Sequence, residues 1–403
     1  MGKDKKKIPS ENGVNGTIFQ RTERYLNANF NIRYNIITNE LLSKAKSESQ
    51  FERLNIDKLY VFLQNNRFNI DIQKLNSLLN SGVMENYNPI ENYFEKISKT
   101  ERNTTIDYID QLSNYVITKN QNRFKYQFKK TLVRMVACAL DDKVINKQAF
   151  ILVHDKQNSG KTTFLNWLCP LDLEEYITEN IGTDKDSLIA LGENFIINMD
   201  ELATFNRSEI NSLKSMLSKA YIKVRHPFGK KAILTSRKAS FVGSTNKTTF
   251  LNDETGSVRW LCFELEKINW NYKKEIDINF VWAQAYDLYI SDFEYELTAK
   301  EIEENEKENR KHLLHSFEID FLQQNYVPGT KDDNEGFFTS TDFLKVINEK
   351  LGSSFKTSVQ NIGKALKILE FDQTNKYNGT YTIKGYYFKN NFNNDLTRLR
   401  DIQ

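Results

Sequence analysis

Between residues 146 and 296 the chain alternates short apolar runs with longer stretches whose apolar positions recur every three or four residues. "AFILVH" (149–154), "NFIINMD" (194–200) and "ASFVGSTN" (239–246) predict strands, and 161–168, 207–219 and 279–292 carry the helical period. Strands separated by helices predict a largely parallel sheet covered on both faces. The flanks follow other patterns. Residues 16–85 mix strand-like "FNIRYNIIT" with helical "QKLNSLLNSG", an α+β region. Residues 86–145 read as helices: "NPIENYFEKI" opens with Asn88-Pro89, a helix start, and "RFKYQFKKTLVRMVACAL" sets apolar residues at helical spacing with Lys and Arg on the other face. "LTAKEIEENEKENRKHLL" (297–314) predicts a charged helical connector. In 315–403, "STDFLKVINEKLG" and "TSVQNIGKALKILEF" predict two helices and "YNGTYTIKGYYFKN" a hairpin turning at Asn378-Gly379, the outline of a winged helix. Residues 1–15 are polar and Lys-rich and predict a disordered, solvated tail.

Composition narrows the class. With 403 residues, 39% hydrophobic, 27% charged and 12% aromatic, the chain has the make-up of a soluble multidomain protein. A net charge of +3 does not by itself argue for nucleic acid, so any basic surface must be local. Cys138, Cys169 and Cys262 are far apart and lie beside apolar residues, which predicts buried thiols rather than disulfides or zinc ligands. The four histidines have no partners at metal spacing, and His312 with His315 predicts a helix surface. No secretory signal and no apolar run of about 18 residues is present, so the expected location is the cytoplasm.

The chemistry lies at the ends of the three predicted strands. After the first comes "HDKQNSGKTT", in which Asn158, Ser159, Gly160, Lys161, Thr162 and Thr163 form the end of a phosphate-binding loop entering a helix. Lys161 is expected to meet the β- and γ-phosphates of ATP and Thr162 to ligate magnesium. The loop pattern asks for glycine where this chain has Asp155, whose carboxylate is expected to point away from the phosphates. The second strand ends in Asp200-Glu201: Asp200 suits a magnesium ligand and Glu201 a group that polarises the attacking water. The third ends in Ser244-Thr245-Asn246, where the Asn246 amide can hold that water or the γ-phosphate. Ligands of open α/β sheets bind beyond the carboxyl ends of the strands.

These pieces, in this order, resemble the virulence-associated protein E family of P-loop ATPases, related to superfamily III helicases and the AAA+ group. The likeness spans roughly 85–290 and includes "SEINSLKSMLSKAYIKVRHPFGKKAILTSRKASFVGSTN" and "FLNDETGSVRWLCFEL". Val258 stands where the family's first arginine is usual, leaving Arg259. The resemblance implies an AAA+-like core, a homo-hexameric ring, DNA as partner, and work beside a primase or other replication protein of a mobile genetic element. It also implies a hairpin carrying Arg225, His226, Lys230 and Lys231 to DNA phosphates, and Arg259 presented to a neighbour's γ-phosphate. Arg237 and Lys238 compete for that last role. The leading expectation is therefore an ATP- and magnesium-dependent helicase or translocase; an ATP-binding initiator or switch with little hydrolysis, and an ATPase in phage defence, stay open beside it.

Overall fold

The computed structural model describes residues 16–182, 184–205, 207–225, 231–251, 258–313, 316–351, 357–377 and 379–391. The expected tail, His226, Lys230, His315 and Asn378 lie outside them. The described chain is mixed α/β. Helix α1 (Ile18–Asn29) starts on a capping box between Thr17 and Gln20. It leads into β1 (Phe30–Asn35), β2 (Glu40–Ala45) and β3 (Glu52–Arg53), then α2 (Ile56–Asn65), α3 (Ile72–Leu79) and β4 (Glu85–Tyr87). These strands order β3-β2-β1-β4, and Leu26, Leu59, Leu63 and Leu75 pack beneath them.

Helix α4 (Pro89–Ser98) begins as its sequence dictates, with Asn88 capping Ile90 and Glu91 and proline in the first turn. Then come α5 (Tyr108–Ser113), β5 (Val116–Thr118), α6 (Gln121–Leu140), β6 (Ala149–Val153), α7 (Lys161–Trp167), β7 (Ile177–Glu179), α8 (Lys185–Glu193), β8 (Ile196–Met199), α9 (Arg207–Leu217), β9 (Tyr221–Val224), β10 (Ile233–Ser236), β11 (Ser240–Thr245), β12 (Trp260–Ile268), α10 (Tyr272–Glu275) and α11 (Ile278–Ile290). The central sheet runs β5-β12-β6-β11-β8-β7. Its five neighbours from β12 to β7 are parallel, and β5 joins antiparallel at the edge. Strand alternation splits β6 between two cores: Phe150 and Leu152 face α4, α6 and α11, while Ala149, Ile151 and Val153 face α9 and the β9–β10 hairpin. Burial on both faces favours apolar residues at every position, which is why "AFILV" shows no alternation of polarity.

The remaining elements are α12 (Ala299–Arg310), α13 (Phe317–Asn325), β13 (Tyr326–Pro328), β14 (Gly336–Phe338), α14 (Ser340–Leu351), α15 (Val359–Ile368), β15 (Gln373–Tyr377) and β16 (Thr382–Asn390). The expected hairpin is β15–β16, with Tyr377 opposite Thr382. The helix of the 297–314 segment packs against the central sheet: Asn305 and Asn309 donate to the Trp260 carbonyl at 2.8 and 2.9 Å, and Glu301 pairs with Lys130 at 3.0 Å. Lys130 and Arg134, on the face of α6 that the sequence sets opposite its apolar residues, are buried as well. His312 is also buried, its Nδ1 2.7 Å from the Thr248 carbonyl, and burial holds its pKa below the usual range; it is not a helix-surface residue. No helix among the described residues is long and apolar enough to cross a membrane.

Candidate active site

Three strand ends converge because β6, β11 and β8 are adjacent and parallel. Residues 157–163, Asp200, Glu201, Ser244 and Asn246 line one polar cleft of about 290 Å³ there. The turn from β6 to α7 reverses through two left-handed residues, Asn158 (φ 56°) and Gly160 (φ 86°). Asn and Gly tolerate that region, so the turn follows from local sequence. Asp155 is not left-handed. Its side chain is 74% exposed and lies 3.4 Å from His154 Nδ1, outside the cleft lining. The position the loop pattern reserves for glycine therefore makes no demand that aspartate fails to meet.

Lys161 is drawn down into the cleft and is 5% exposed. Its ammonium donates to Asn246 Oδ1 at 2.8 Å and Ser159 Oγ at 2.9 Å, with the His154 and Lys156 carbonyls at 3.3 Å. All four are neutral oxygens. Burial lowers its pKa, and the nearby charges of Asp200 and Asp155 oppose the shift. Beside it, Thr162 Oγ1 donates to Asp200 Oδ1 at 2.7 Å, Ser244 Oγ donates to the same oxygen, and the two hydroxyls are 3.4 Å apart. Two hydroxyls on one carboxylate oxygen, beside the 154–160 loop, form a hard oxygen donor set of the kind magnesium takes. Glu201 is exposed and left-handed at φ 51°, an uncommon conformation for glutamate and the kind of strain that collects at working sites.

Arg237, Lys238 and Arg259 lie at the opposite end of the central sheet, before β11 and β12, and Arg225 and Lys231 lie on a separate two-stranded sheet. The expected hairpin exists as β9–β10, antiparallel with Ile233 opposite Val224. Arg225 and Lys231 are exposed beside its turn, which itself falls outside the described residues. Arg259 precedes β12; its carbonyl accepts from Ala149 N at 2.7 Å and its Nε donates to Ser218 Oγ at 3.2 Å. Ala149 opens β6 and the loop follows its far end, so five residues of strand, roughly 16 Å, separate Arg259 from the cleft of its own chain. Arg237 is fully buried and donates to the carbonyls of Met216 and Leu217 at the end of α9. Lys238 is held by Asp142 at 2.7 Å. Neither is placed to reach a neighbour. Sequence reasoning gave no role to Ser244, which lines the cleft, or to Trp270, which lies beside it. Ser244 sits two residues before Asn246 and was legible in that spacing. Trp270, which lies against Gly160, carries no local signal.

Residues 97–314 match the virulence-associated protein E-like domain. No curated protein matches the sequence. Among solved structures, the apo structure of the NrS-1 C terminal region (305–718) aligns over 92% of this chain and 99% of that one, at 13% identity and a TM-score of 0.54. A further apo form of the same region aligns at 0.48 over 91% and 98%. At such identity the likeness is one of fold.

Proposed function

The chain belongs to the virulence-associated protein E-like family, and from that premise we propose that it is an ATP- and magnesium-dependent ring ATPase acting on DNA, a helicase or translocase in the replication of a mobile genetic element. The observation that carries this reading is the buried Lys161 ammonium, bonded only to neutral oxygens, beside a carboxylate that gathers two hydroxyls. A charge so placed is relieved by an anion, and the β- and γ-phosphates of ATP supply one. The parallel order β12-β6-β11-β8-β7, with the loop strand β6 flanked by β12 and β11, supports an AAA+-like P-loop core. Helices α13–α15 with the β15–β16 hairpin support a winged-helix reading of 315–403. The further readings are a homo-hexamer, a primase or other replication protein as partner, and a cytoplasmic location.

Residues 158–163 would cradle the phosphates through backbone N–H groups and Lys161. Thr162 and Asp200 would hold magnesium, with Ser244 keeping Asp200 oriented. Bound there, the ion would neutralise charge on the phosphate oxygens. Glu201 would orient and deprotonate the attacking water, and the Asn246 amide would donate to it or to the γ-phosphate. Arg225 and Lys231, with His226 and Lys230, would contact DNA phosphates without reading sequence. Phosphate release measured with and without DNA tests the reading: a motor turns ATP over faster when DNA is present. ATP binding and assembly without turnover would instead favour the switch.

A further inference from the structure

Gly160 is closed on one side by an indole ring. A Cβ built there would stand 2.7 Å from Cζ2 and 2.9 Å from Cη2 of Trp270, so the ring lies against the backbone that precedes Lys161. Trp270 is nonetheless 48% exposed, whereas Trp260 and Trp282 are completely buried. Its position is fixed from both sides. Asn269 N donates to the Tyr115 carbonyl at 2.8 Å, and the Tyr272 ring packs edge-on against Phe164 and Trp167 of α7 at 5.4 and 4.7 Å. The helix that carries Lys161 and Thr162 is thus pinned to the segment that carries the indole. The Lys273 ammonium lies over the indole ring, 5.3 Å from its centroid, and would have to swing aside or share that face when a base stacks there.

We propose that Trp270 is the platform on which the nucleobase of a bound nucleoside triphosphate stacks, an inference that rests on the reading of the cleft as a phosphate site. A rigidly held, half-exposed indole at the rim of a polar cleft offers apolar π surface next to the phosphate loop. Every nucleobase has a π face, so the platform selects a nucleoside over bare polyphosphate without choosing among bases.

Titrations with ATP and with tripolyphosphate, both with magnesium, test it on the full chain. The parent should bind ATP more tightly than tripolyphosphate. Trp270→Ala should weaken ATP by about ten-fold, the scale of one base–aromatic stack, and leave tripolyphosphate unchanged. Trp270→Phe should keep most of the ATP affinity but lose the indole fluorescence change that ATP, and not tripolyphosphate, produces in the parent. That readout serves even where the alanine variant fails to fold. Equal losses for the two probes would make Trp270 a prop for the loop and overturn the proposal, as would an alanine variant that binds ATP like the parent. A parent that binds tripolyphosphate with no preference for ATP defeats the platform and spares the phosphate site; a parent that binds neither removes both.

Discussion

A buried ammonium bonded only to neutral oxygens is an incomplete arrangement, and Lys161 is the residue around which the cleft is arranged. Its neighbour Asp155 illustrates how a motif and a backbone can differ. The motif asks for glycine, yet the left-handed positions are Asn158 and Gly160. Asp155→Gly therefore relieves no strain. It should leave ATP affinity close to the parent's in a binding titration and lower thermal stability slightly, by roughly 0.5–1 kcal/mol, through the freedom it adds to the unfolded chain. A large loss of affinity would mean that the carboxylate serves the ligand. Away from the cleft, Glu193 is pushed up to about 7, first by burial and then by Glu40, with Arg53 opposing. The folded chain holds this proton more tightly than the unfolded one. The stability it contributes is present below the ordinary glutamate range and is lost as pH rises through about 7. Glu193→Gln should accordingly lose less melting temperature than the parent between about pH 5 and pH 8, and parallel slopes would remove Glu193 as the cause. Lys161, Thr162, Asp200 and Asn246 were legible because each stands at a fixed offset from an apolar strand. Trp270 was not, because the tertiary packing of Tyr272 under α7 delivers it to the loop.

At the scale of elements, α12 departs most from its sequence. "AKEIEENEKENR" has little apolar surface, and its sequence predicts a charged connector with no sign of what it packs against. It docks instead through polar pairing: amides to the Trp260 carbonyl and Glu301 to Lys130, whose side chain is completely buried. Removing one partner of a buried pair leaves the other charge uncompensated. Glu301→Ala should cost about 3–5 kcal/mol in chemical denaturation, and Lys130→Met with Glu301→Leu should recover most of it. A cost below about 1 kcal/mol would show the pair to be solvated, as exposed pairs are. Polar docking of this kind leaves no periodic mark in a sequence. The strands β6, β8 and β11 left a plainer one, because burial on both faces favours apolar residues, unbroken in β6 and interrupted by Asn198 in β8 and by Ser240, Ser244 and Thr245 in β11. Short β5, β7, β9 and β10 have too few residues to show a period and are recruited by neighbours already in place.

Across the whole molecule, the cleft and the Arg259 end of the sheet are a strand apart, so Arg259 cannot complete the cleft of its own chain. The ring reading uses that separation: one copy's arginine would serve the next copy's cleft. Mixed Arg259→Ala and Lys161→Ala proteins, each inactive alone, should regain part of the ATP turnover, since some junctions then join an intact loop to an intact arginine. Co-assembly without recovery would assign Arg259 a role within its own subunit or a purely structural one. The overall arrangement was legible where helices and strands alternate along the chain. The joining of the flanking segments was not, because contacts such as Tyr176 to Asn35, 141 residues apart, have no local signature. The central claim, that the cleft hydrolyses ATP, is tested most directly by steady-state phosphate release from the parent and from Lys161→Ala at saturating magnesium and ATP. The account predicts turnover by the parent and a loss of about a hundred-fold or more in the variant, whose fold stays intact. Equal turnover by the two proteins would contradict it.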